Sequence, residues 1–383
     1  ALADAIETQL DSGDVTIETD APDYSDIDTN GYESYGGGDI FVTGNIEYTG
    51  LNNSSLTLKA YRHIIFGDSY NPSNKGSISS TNAELDVTLW ARAGGNNEAT
   101  DSRVGSVWLP QGSSISTNGG DVIIGGGQDA LNGYTLGQYT TSGENNSLYR
   151  GASINGNINA DGGDISIRAK AGQSGIAAAR GVSIAGDSTI ETSGTGNISI
   201  YGIAKGNSDA VAIGDSYFGN DTTGRGIVSV SDGDIYIEGL KGNGANSEAL
   251  YMSNESEVNS QNGNVIITGS QTGDIKVDLR SRIITNTLFI YDANNVYLDN
   301  FEVGSGNIIK NIVGSNINGE FNFTNTEAFT IGDFLYNSNS FNGLVANGNI
   351  NLKSESKASG INIDKNIYSI SGDTFINGGN HID

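Results

Sequence analysis

Carboxylates are the only abundant reactive side chains in this sequence of 383 residues, which holds 45 Asp and Glu, 19 Lys and Arg, two His and no Cys. The histidines, His63 and His381, lie far apart, and neither has a second plausible metal ligand nearby in the sequence. Metal sites built from His or Cys are therefore excluded for lack of ligands, and we expect both histidines to be structural. The remaining chemistry is calcium binding or acid–base work by carboxylates.

One aspartate cluster is the best candidate for calcium, because Ca²⁺ prefers hard oxygen ligands and the repeat described below does not explain the cluster. Its members are Asp20, Asp23, Asp26 and Asp28. Three Gly-Asp-Ser triplets also offer oxygen ligands, but we expect their aspartates to cap turns; these are Asp68, Asp187 and Asp215. Calcium is the one cofactor that the sequence suggests, and nothing in the sequence requires it.

A second set of aspartates recurs at a fixed place in a short motif: Asp14, Asp39, Asp121, Asp164 and Asp234. Polysaccharide lyases and hydrolases need carboxylates paired around one bond. In other copies of the motif an asparagine replaces the aspartate, at Asn197, Asn264 and Asn349. Asparagine can hold a turn but cannot act as an acid or a base, so we favour a structural role and predict that the chain is not an enzyme.

The motif itself consists of Gly, Asp or Asn, Ile or Val, any residue and an aliphatic residue. Its copies are GDVTI (13–17), GDIFV (38–42), GDVII (120–124), GDISI (163–167), GNISI (196–200), GDIYI (233–237), GNVII (263–267), GDIKV (273–277) and GNINL (348–352). Glycine and Asp or Asn favour a turn that bonds its own backbone, and the alternating aliphatic residues favour a strand with one buried face. Each copy therefore predicts a turn followed by a strand.

The surrounding sequence repeats as well, and a full unit contains three short strands, with units starting about 30 to 43 residues apart. LTLKA (56–60) and VTLWARAGG (87–95) occupy the third strand of earlier units, although Glu84 and Leu85 interrupt the Gly-Asp signature there. This pattern predicts an all-β fold, a right-handed parallel β-helix (solenoid) of about 10 to 13 coils. A propeller is the main alternative, but each of its blades needs four strands.

We expect a single domain over residues 1–383: acidic N-terminal coils or a cap (1–50), regular coils (51–275) and less regular, Phe-rich coils (276–383). Apolar residues at helical spacing in ALADAIETQL (1–10) predict a short capping helix, or else the tail of a preceding coil. Seven of the eleven phenylalanines follow residue 300. They either fill a wider coil interior or form a contact surface for another subunit.

The formal charge is −26, and residues 1–50 contain twelve acidic residues and no Lys or Arg. Because phosphate contacts need Lys and Arg, nucleic-acid binding is not expected. No apolar run approaches the roughly 20 residues that span a bilayer, so we expect no membrane-spanning segment. A strongly acidic surface suits solubility outside the cell, or binding of divalent cations.

The stretch ADAIETQLDSGDVTIETD followed by GGDIFVTGNIEYTGLNNSSLTLKAYRHIIF resembles filamentous-haemagglutinin-type bacterial exoproteins, many of which use two-partner secretion. The clear resemblance covers residues 3–66, and a looser one extends to about residue 270. It implies a β-helical shaft, an extracellular or cell-surface location, and a structural or adhesive role, as in a biofilm matrix. The Asn-Pro-Asn-Gly motifs of the family's secretion domain are missing, so the resemblance implies shaft or a processed product.

Possible partners are copies of the chain packed head to tail, or glycans or proteins of a host or cell surface. Bare coil edges at both ends would favour filaments. A basic surface for that contact would come from Lys310, Lys353, Lys357 and Lys365. The alternative is a truncated shaft whose neighbouring segments supply the caps. A polysaccharide-degrading β-helical enzyme is the competing function.

Overall fold

The chain folds into a parallel β-helix preceded by one short helix. The computed structural model describes residues 2–20, 37–68, 74–95, 104–137, 146–172, 179–214, 224–245, 247–278, 280–299, 306–356 and 360–378. Each coil runs through three strand positions, as the sequence predicted, and we number these positions first, second and third in chain order.

The first position forms a parallel sheet of twelve strands. Their bounds are Ile40–Phe41, Ile64–Ile65, Val107–Leu109, Ala152–Ile154, Val182–Ile184, Val211–Ile213, Glu248–Met252, Asp274–Val277, Val296–Leu298, Phe321–Asn325, Ile350–Ser354 and Thr374–Asn377. At about 4.8 Å per coil, twelve coils give a rod about 55 Å long.

The second and third positions together form a sheet of 21 strands. Second-position strands are Asn45–Tyr48, Ser77–Ser80, Ser114–Ser116, Asn157–Asn159, Ser188–Thr192, Gly226–Val230, Phe329–Ile331 and Ile361–Ile363. Third-position strands are Val15–Glu18, Ser54–Lys59, Leu85–Ala91, Val122–Gly126, Ile165–Lys170, Ile198–Ile203, Ile235–Leu240, Leu344–Ala346 and Ile367–Ser369. Three long strands cover both positions, Glu257–Thr268, Arg282–Ala293 and Ile308–Ile317.

Three smaller elements lie outside the regular coils. Thr135–Leu136 pairs with the end of Ile165–Lys170, and Asn146–Tyr149 is a 3₁₀ helix. Asp333–Tyr336 and Asn339–Asn342 form an antiparallel hairpin between a second and a third position. All other pairings between the strands listed above are parallel, which confirms the β-helix and disagrees with the antiparallel blades of a propeller.

Stacking in register places like residues over one another inside the coil. Ile165–Lys170 pairs residue for residue with Ile198–Ile203, which pairs in the same way with Ile235–Leu240. One inward ladder of fully or almost fully buried side chains contains Leu56, Val87, Val122, Ile165, Ile198, Ile235, Val265, Leu288 and Ile312. Each such side chain stabilises the fold by about 1.5–3 kcal/mol, and the ladders together form one continuous core.

Most glycines of the motif serve close stacking rather than a special backbone angle. A Cβ on Gly163 would collide with the carbonyl oxygen of Gly120 in the preceding coil, and one on Gly233 would collide with that of Gly196. Among the motif glycines only Gly13 (φ 148°) and Gly38 (φ 78°) have a positive φ. For the other copies the constraint on the glycine is the short distance between coils, not its backbone angle.

A helix, α1 (Leu2–Leu10), covers the N-terminal end of the rod, which confirms the capping helix. Ile6 and Leu10 are 7% and 1% exposed and join the core at the strands of the first coil. The helix therefore takes the place that a preceding coil would occupy, and it shields apolar side chains at an end that would otherwise be open.

The phenylalanines beyond residue 300 occupy more than one environment. Phe321, Phe323 and Phe329 fill the coil interior, which is one of the two expected roles. Phe334 and Phe341 lie on the hairpin and pack on the outer face of the large sheet. Phe375 is 57% exposed on the last strand, and Phe301 lies outside the described residues.

Candidate functional site

The motif aspartates and asparagines form a ladder of hydrogen bonds between coils. The side-chain oxygen of Asp121 accepts a hydrogen bond from the N–H of Asp164 at 2.7 Å, and Asp164 accepts one from Asn197 at 2.7 Å. The ladder extends through Asn197 to Asp234 and through Asp234 to Asn264, with distances of 2.9 and 2.8 Å. Each side chain therefore bonds the backbone of the next coil, rather than its own turn as we expected.

Asp86 belongs to this ladder although the sequence did not indicate it. Its carboxylate accepts a hydrogen bond from the N–H of Asp121 at 2.8 Å. Leu85 stands where the other copies have glycine, as the pairing of Val87 with Val122 shows. This coil therefore keeps the aspartate of the Gly-Asp signature and lacks only its glycine.

Three members of the motif set lie at a different corner of the coil, so the copies do not all share one turn position as we expected. Asp39 and Asn349 directly precede first-position strands and Asp274 begins one, whereas the other motif residues lie where the third strand position begins. Asp39 accepts a hydrogen bond from the N–H of His63 at 3.0 Å, and Asn349 accepts one from Asp373 at 2.9 Å. The same hydrogen bond thus stabilises both corners, and this explains why Asp and Asn exchange freely.

The Gly-Asp-Ser triplets show turn geometry where the structure describes them. Asp187 has a φ of 60°, in the left-handed region, and its carboxylate accepts a hydrogen bond from the N–H of Arg225 at 3.3 Å. Asp68 accepts one from the side-chain amide of Asn74 at 2.9 Å. Both contacts fit the predicted role in turns, and Asp215 lies outside the described residues.

The calcium prediction stays a prediction. Asp20 is exposed at the end of a described segment, and Asp23, Asp26 and Asp28 lie outside the described residues. In the part of the chain that the structure describes, no group of three or more His, Asp or Glu side chains is arranged to hold a metal ion.

His63 lies in a fully buried polar site at the entry to a first-position strand. Its Nδ1 accepts a hydrogen bond from the N–H of Ser106 at 2.8 Å, so the neutral ring carries its proton on Nε2. Arg62 and Asp39 form a buried ion pair beside it, with 2.9 Å between Nη2 and Oδ2. Burial lowers the pKa of His63 to about 4, against the opposing attraction of Asp39. The predicted structural role fits this site, and His381 lies outside the described residues.

A second buried charged group lies at the same corner, several coils further on. Arg180 and Asp209 are 3.4 Å apart (Nε to Oδ2), and Asp209 accepts a hydrogen bond from the N–H of Glu248 at 3.2 Å. Burial, together with the neighbouring Asp209, raises the pKa of Glu248 to about 8. Glu248 therefore holds a proton at neutral pH, and this was not apparent from the sequence.

Aromatic and charged side chains form a strip along the outer face of the third strand position. We call this the tyrosine strip and define it as Tyr134, Arg168, Tyr201, Tyr236, Glu238, Tyr291 and Tyr336. All seven side chains are half-buried. Arg168, Tyr201 and Glu238 stand directly above one another in successive coils, so about 10 Å separates the coils of Arg168 and Glu238.

Arg168 is held between two tyrosine rings. Its guanidinium carbon lies 4.0 Å from the ring centroid of Tyr201 and 4.8 Å from that of Tyr134. Its Nη2 donates a hydrogen bond to the hydroxyl of Tyr134 at 2.9 Å. Among the described residues no carboxylate forms an ion pair with this guanidinium, and its Nε has no hydrogen-bond partner there.

The other half of the strip is a network of phenols closed by the hairpin. Tyr236 donates a hydrogen bond to Glu238 at 2.7 Å, and its hydroxyl is 3.3 Å from that of Tyr291. Burial raises the pKa of Tyr236, Tyr201 and Tyr291, the last to about 12. Because these phenols stay neutral, they suit hydrogen bonding and packing rather than proton abstraction.

The hairpin is anchored to this face by aromatic packing. The ring of Phe289, which is fully buried, lies 4.6 Å from that of Phe341 and 5.3 Å from that of Phe334. Tyr336 of the hairpin stacks near Tyr236, with 6.4 Å between ring centroids. The hairpin thus covers one end of the tyrosine strip, and Tyr134 lies at the other end.

Sequence reasoning missed the tyrosine strip, although a signal was present. In ISIRAK, ISIYGI, IYIEGL and LFIYDA, a large aromatic or charged residue directly follows the second inward aliphatic residue of the strand. The strip brings together residues that are far apart in the sequence, for example Tyr134 with Arg168, 34 positions apart, and Tyr236 with Tyr291, 55 positions apart. Local pattern alone does not show which outward residues become neighbours.

No protein-family model, curated protein or solved structure matches this chain. None of the described helices is long and apolar enough to cross a membrane.

Proposed function

We propose that this chain is a structural or adhesive protein of a bacterial surface or extracellular matrix, with the β-helix as a shaft. The observation that carries the proposal is the use of the repeated carboxylates. Asp121, Asp164 and Asp234 all bond the backbone of the next coil, so the most regular chemical feature of the sequence stabilises the rod. The resemblance to filamentous-haemagglutinin-type exoproteins supports the extracellular location.

The tyrosine strip is the contact face of this proposed shaft. Adhesion needs a fixed surface, and residues on a stacked parallel sheet are held more rigidly than residues on loops. Arg168 and Tyr201 stand on such strands and are further immobilised by ring contacts. Extracellular glycans and surface proteins are the partners that fit this role.

Two measurements test the proposal together. Antibodies against the purified chain should label intact cells of the source bacterium, and electron microscopy should show short rods. Labelling that appears only after cell lysis would refute the extracellular role.

The alternative function is a β-helical polysaccharide lyase or hydrolase, and one observation favours it. Glu248, whose pKa is raised to about 8, has the protonation state of a general acid, and Asp209 and Lys276 influence its charge. Against it, Asp209 is only 7% exposed and is engaged with Arg180. Incubation with a polysaccharide panel, followed by assays for reducing ends and unsaturated products, tests this function. Turnover that is lost in Glu248→Gln would establish the enzyme.

Head-to-tail assembly and calcium binding are further parts of the proposal. Tyr368, Ile370 and Phe375 are between 57% and 60% exposed near the last described coils and suit an apolar contact. At the opposite end α1 covers the strands, so stacking of bare strands would require α1 to move. Light scattering tests both ideas. The chain with and without residues 1–12 is measured in calcium and in a chelator. A monomer under all four conditions would refute filament formation.

The four lysines suggested for this contact have partners of their own where the structure describes them. Lys353 pairs with Glu355 at 3.1 Å, Lys365 with Asp333 at 3.2 Å, and Lys310 donates to Asn286 at 2.6 Å. Lys357 lies outside the described residues. A basic surface at this end is therefore partly neutralised within the chain itself.

A further inference from the structure

Arg168 combines three properties that rarely occur together in this acidic chain. Its guanidinium is fixed between Tyr134 and Tyr201, it is half-buried, and no described carboxylate pairs with it. In contrast, Arg62, Arg180, Arg280 and Arg282 are each paired with Asp or Glu. The Nε of Arg168 is buried and its Nη2 already donates to the hydroxyl of Tyr134, so the edge formed by Nη1 and Nη2 is the one left for a ligand, and such an edge matches a carboxylate bidentately.

The neighbours of Arg168 determine what else the ligand must offer. Tyr201 lies above it in the next coil, followed by Glu238, which already accepts a hydrogen bond from Tyr236. Glu238 would repel a second anionic group about 10 Å from the first, whereas sugar hydroxyls can donate to a carboxylate and accept from a phenol. The strip therefore fits one carboxylate next to a neutral, hydroxyl-rich unit.

The net charge of the chain further restricts which classes of anionic ligand can bind. A net charge of −26 repels dense polyanions at long range, whereas a single carboxylate that reaches Arg168 gains a short, local ion pair. The favoured ligand is therefore a glycan in which uronate residues alternate with neutral sugars.

We propose that Arg168 anchors a uronate carboxylate of such a glycan, which lies along the rod with its neutral sugar over Tyr201 and Glu238. This inference deepens the proposed function and rests on it. It assigns the partner to a chemical class, an acidic but sparsely charged polysaccharide, and the contact to one face of the rod.

Calorimetric titration of the full chain with four probes tests this assignment. A hyaluronan hexasaccharide has a uronate at every second ring, chitohexaose has none, and a hexamer of galacturonate has one at every ring. A peptide with one glutamate represents a protein ligand. We expect the hyaluronan hexasaccharide to bind best, and its binding to weaken with added salt.

Arg168→Gln should weaken this binding about 10- to 100-fold, because a charge-assisted hydrogen bond is lost. Arg168→Lys should restore only part of it, since a lysine cannot bond bidentately. The matched control is Arg282→Gln, which removes an outward arginine on the second strand position that is paired with Glu257; it should bind like the unaltered chain. Circular dichroism should show the same strand content in all variants.

Three results would overturn the inference: equal binding of chitohexaose, equal weakening by Arg282→Gln, or preference for the acidic peptide. Absence of binding to every probe would also refute it. None of these outcomes affects the surface labelling and rod shape that test the proposed function, so failure of the two proposals can be distinguished.

Discussion

The carboxylate of Asp164 accepts hydrogen bonds from both the main-chain N–H and the side-chain amide of Asn197, at 2.7 and 3.1 Å, across the gap between two coils. The two residues are 33 positions apart in the sequence. Contacts of this kind tie each corner of the β-helix to the next and leave the aliphatic ladders inside undisturbed.

Replacing Asp164 tests whether the ladder needs an acceptor or a charge. Asp164→Ala should lower the free energy of unfolding by about 1–3 kcal/mol, since the hydrogen bonds from the main-chain N–H and the side-chain amide of Asn197 are both lost. Asp164→Asn should cost much less, because its side-chain oxygen still accepts from Asn197. It also removes a like charge next to Asp121, a charge that contributes to the raised pKa of Asp121. Urea unfolding of both variants measures the difference; equal losses would show that the charge matters.

Gly163 should tolerate no side chain. Gly163→Ala forces a methyl group against the carbonyl oxygen of Gly120, so neighbouring coils must separate locally. We expect a loss of about 1–3 kcal/mol, as for overpacking in a core. Gly44→Ala is the matched control, because its added Cβ meets no atom within 4 Å. Thermal unfolding of the two variants should differ clearly, and a similar Tm for both would contradict the stacking explanation.

His63 should make the fold sensitive to acid. Its pKa is about 4 in the folded chain and about 6.5 in a model peptide, so the unfolded chain takes up a proton first as pH falls. The contribution of His63 to stability is fully present above pH 6.5 and is lost as pH falls towards 4. His63→Asn retains an acceptor for Ser106 and should lack this pH dependence. Urea midpoints at several pH values measure it, and parallel curves for both proteins would disprove the prediction.

Glu248 should have the opposite effect on the pH dependence of stability, because it stabilises the fold at low pH. Its pKa is raised from 4.5 to about 8 by burial and by Asp209, so between these values only the folded chain retains the proton. Its contribution to stability is greatest below pH 4.5 and is lost as pH rises towards 8. Glu248→Gln mimics the protonated form and should flatten this part of the curve.

Because His63 and Glu248 have opposite effects between about pH 4.5 and 6.5, each variant must be compared with the unaltered chain rather than judged alone. Isotope-edited infrared spectroscopy of the carboxyl group offers an independent check, since a Glu248 band that titrates near pH 4.5 would contradict the burial argument.

The fold could be predicted to an unusual degree because the repeat encodes both turn and strand locally. GDISI (163–167) and GNISI (196–200) each specify a corner and an alternating strand, and identical units stack in register because that buries Ile165 against Ile198. The helix at Leu2–Leu10 was predictable for a similar reason, since Ile6 and Leu10 lie on one helical face. These features depend on residues close together in the chain.

Tertiary structure alone decided what those residues contact. The motif does not say which corner it occupies, and Asp39 and Asp164 therefore looked equivalent although they precede different strand positions. Nor does it show that Gly163 faces Gly120, or that Tyr134 and Tyr201 enclose Arg168. The physical reason is that coil length varies, from 21 residues between Asp274 and Asn295 to 43 between Asp121 and Asp164. Only the closed coil determines which distant side chains lie one above the other.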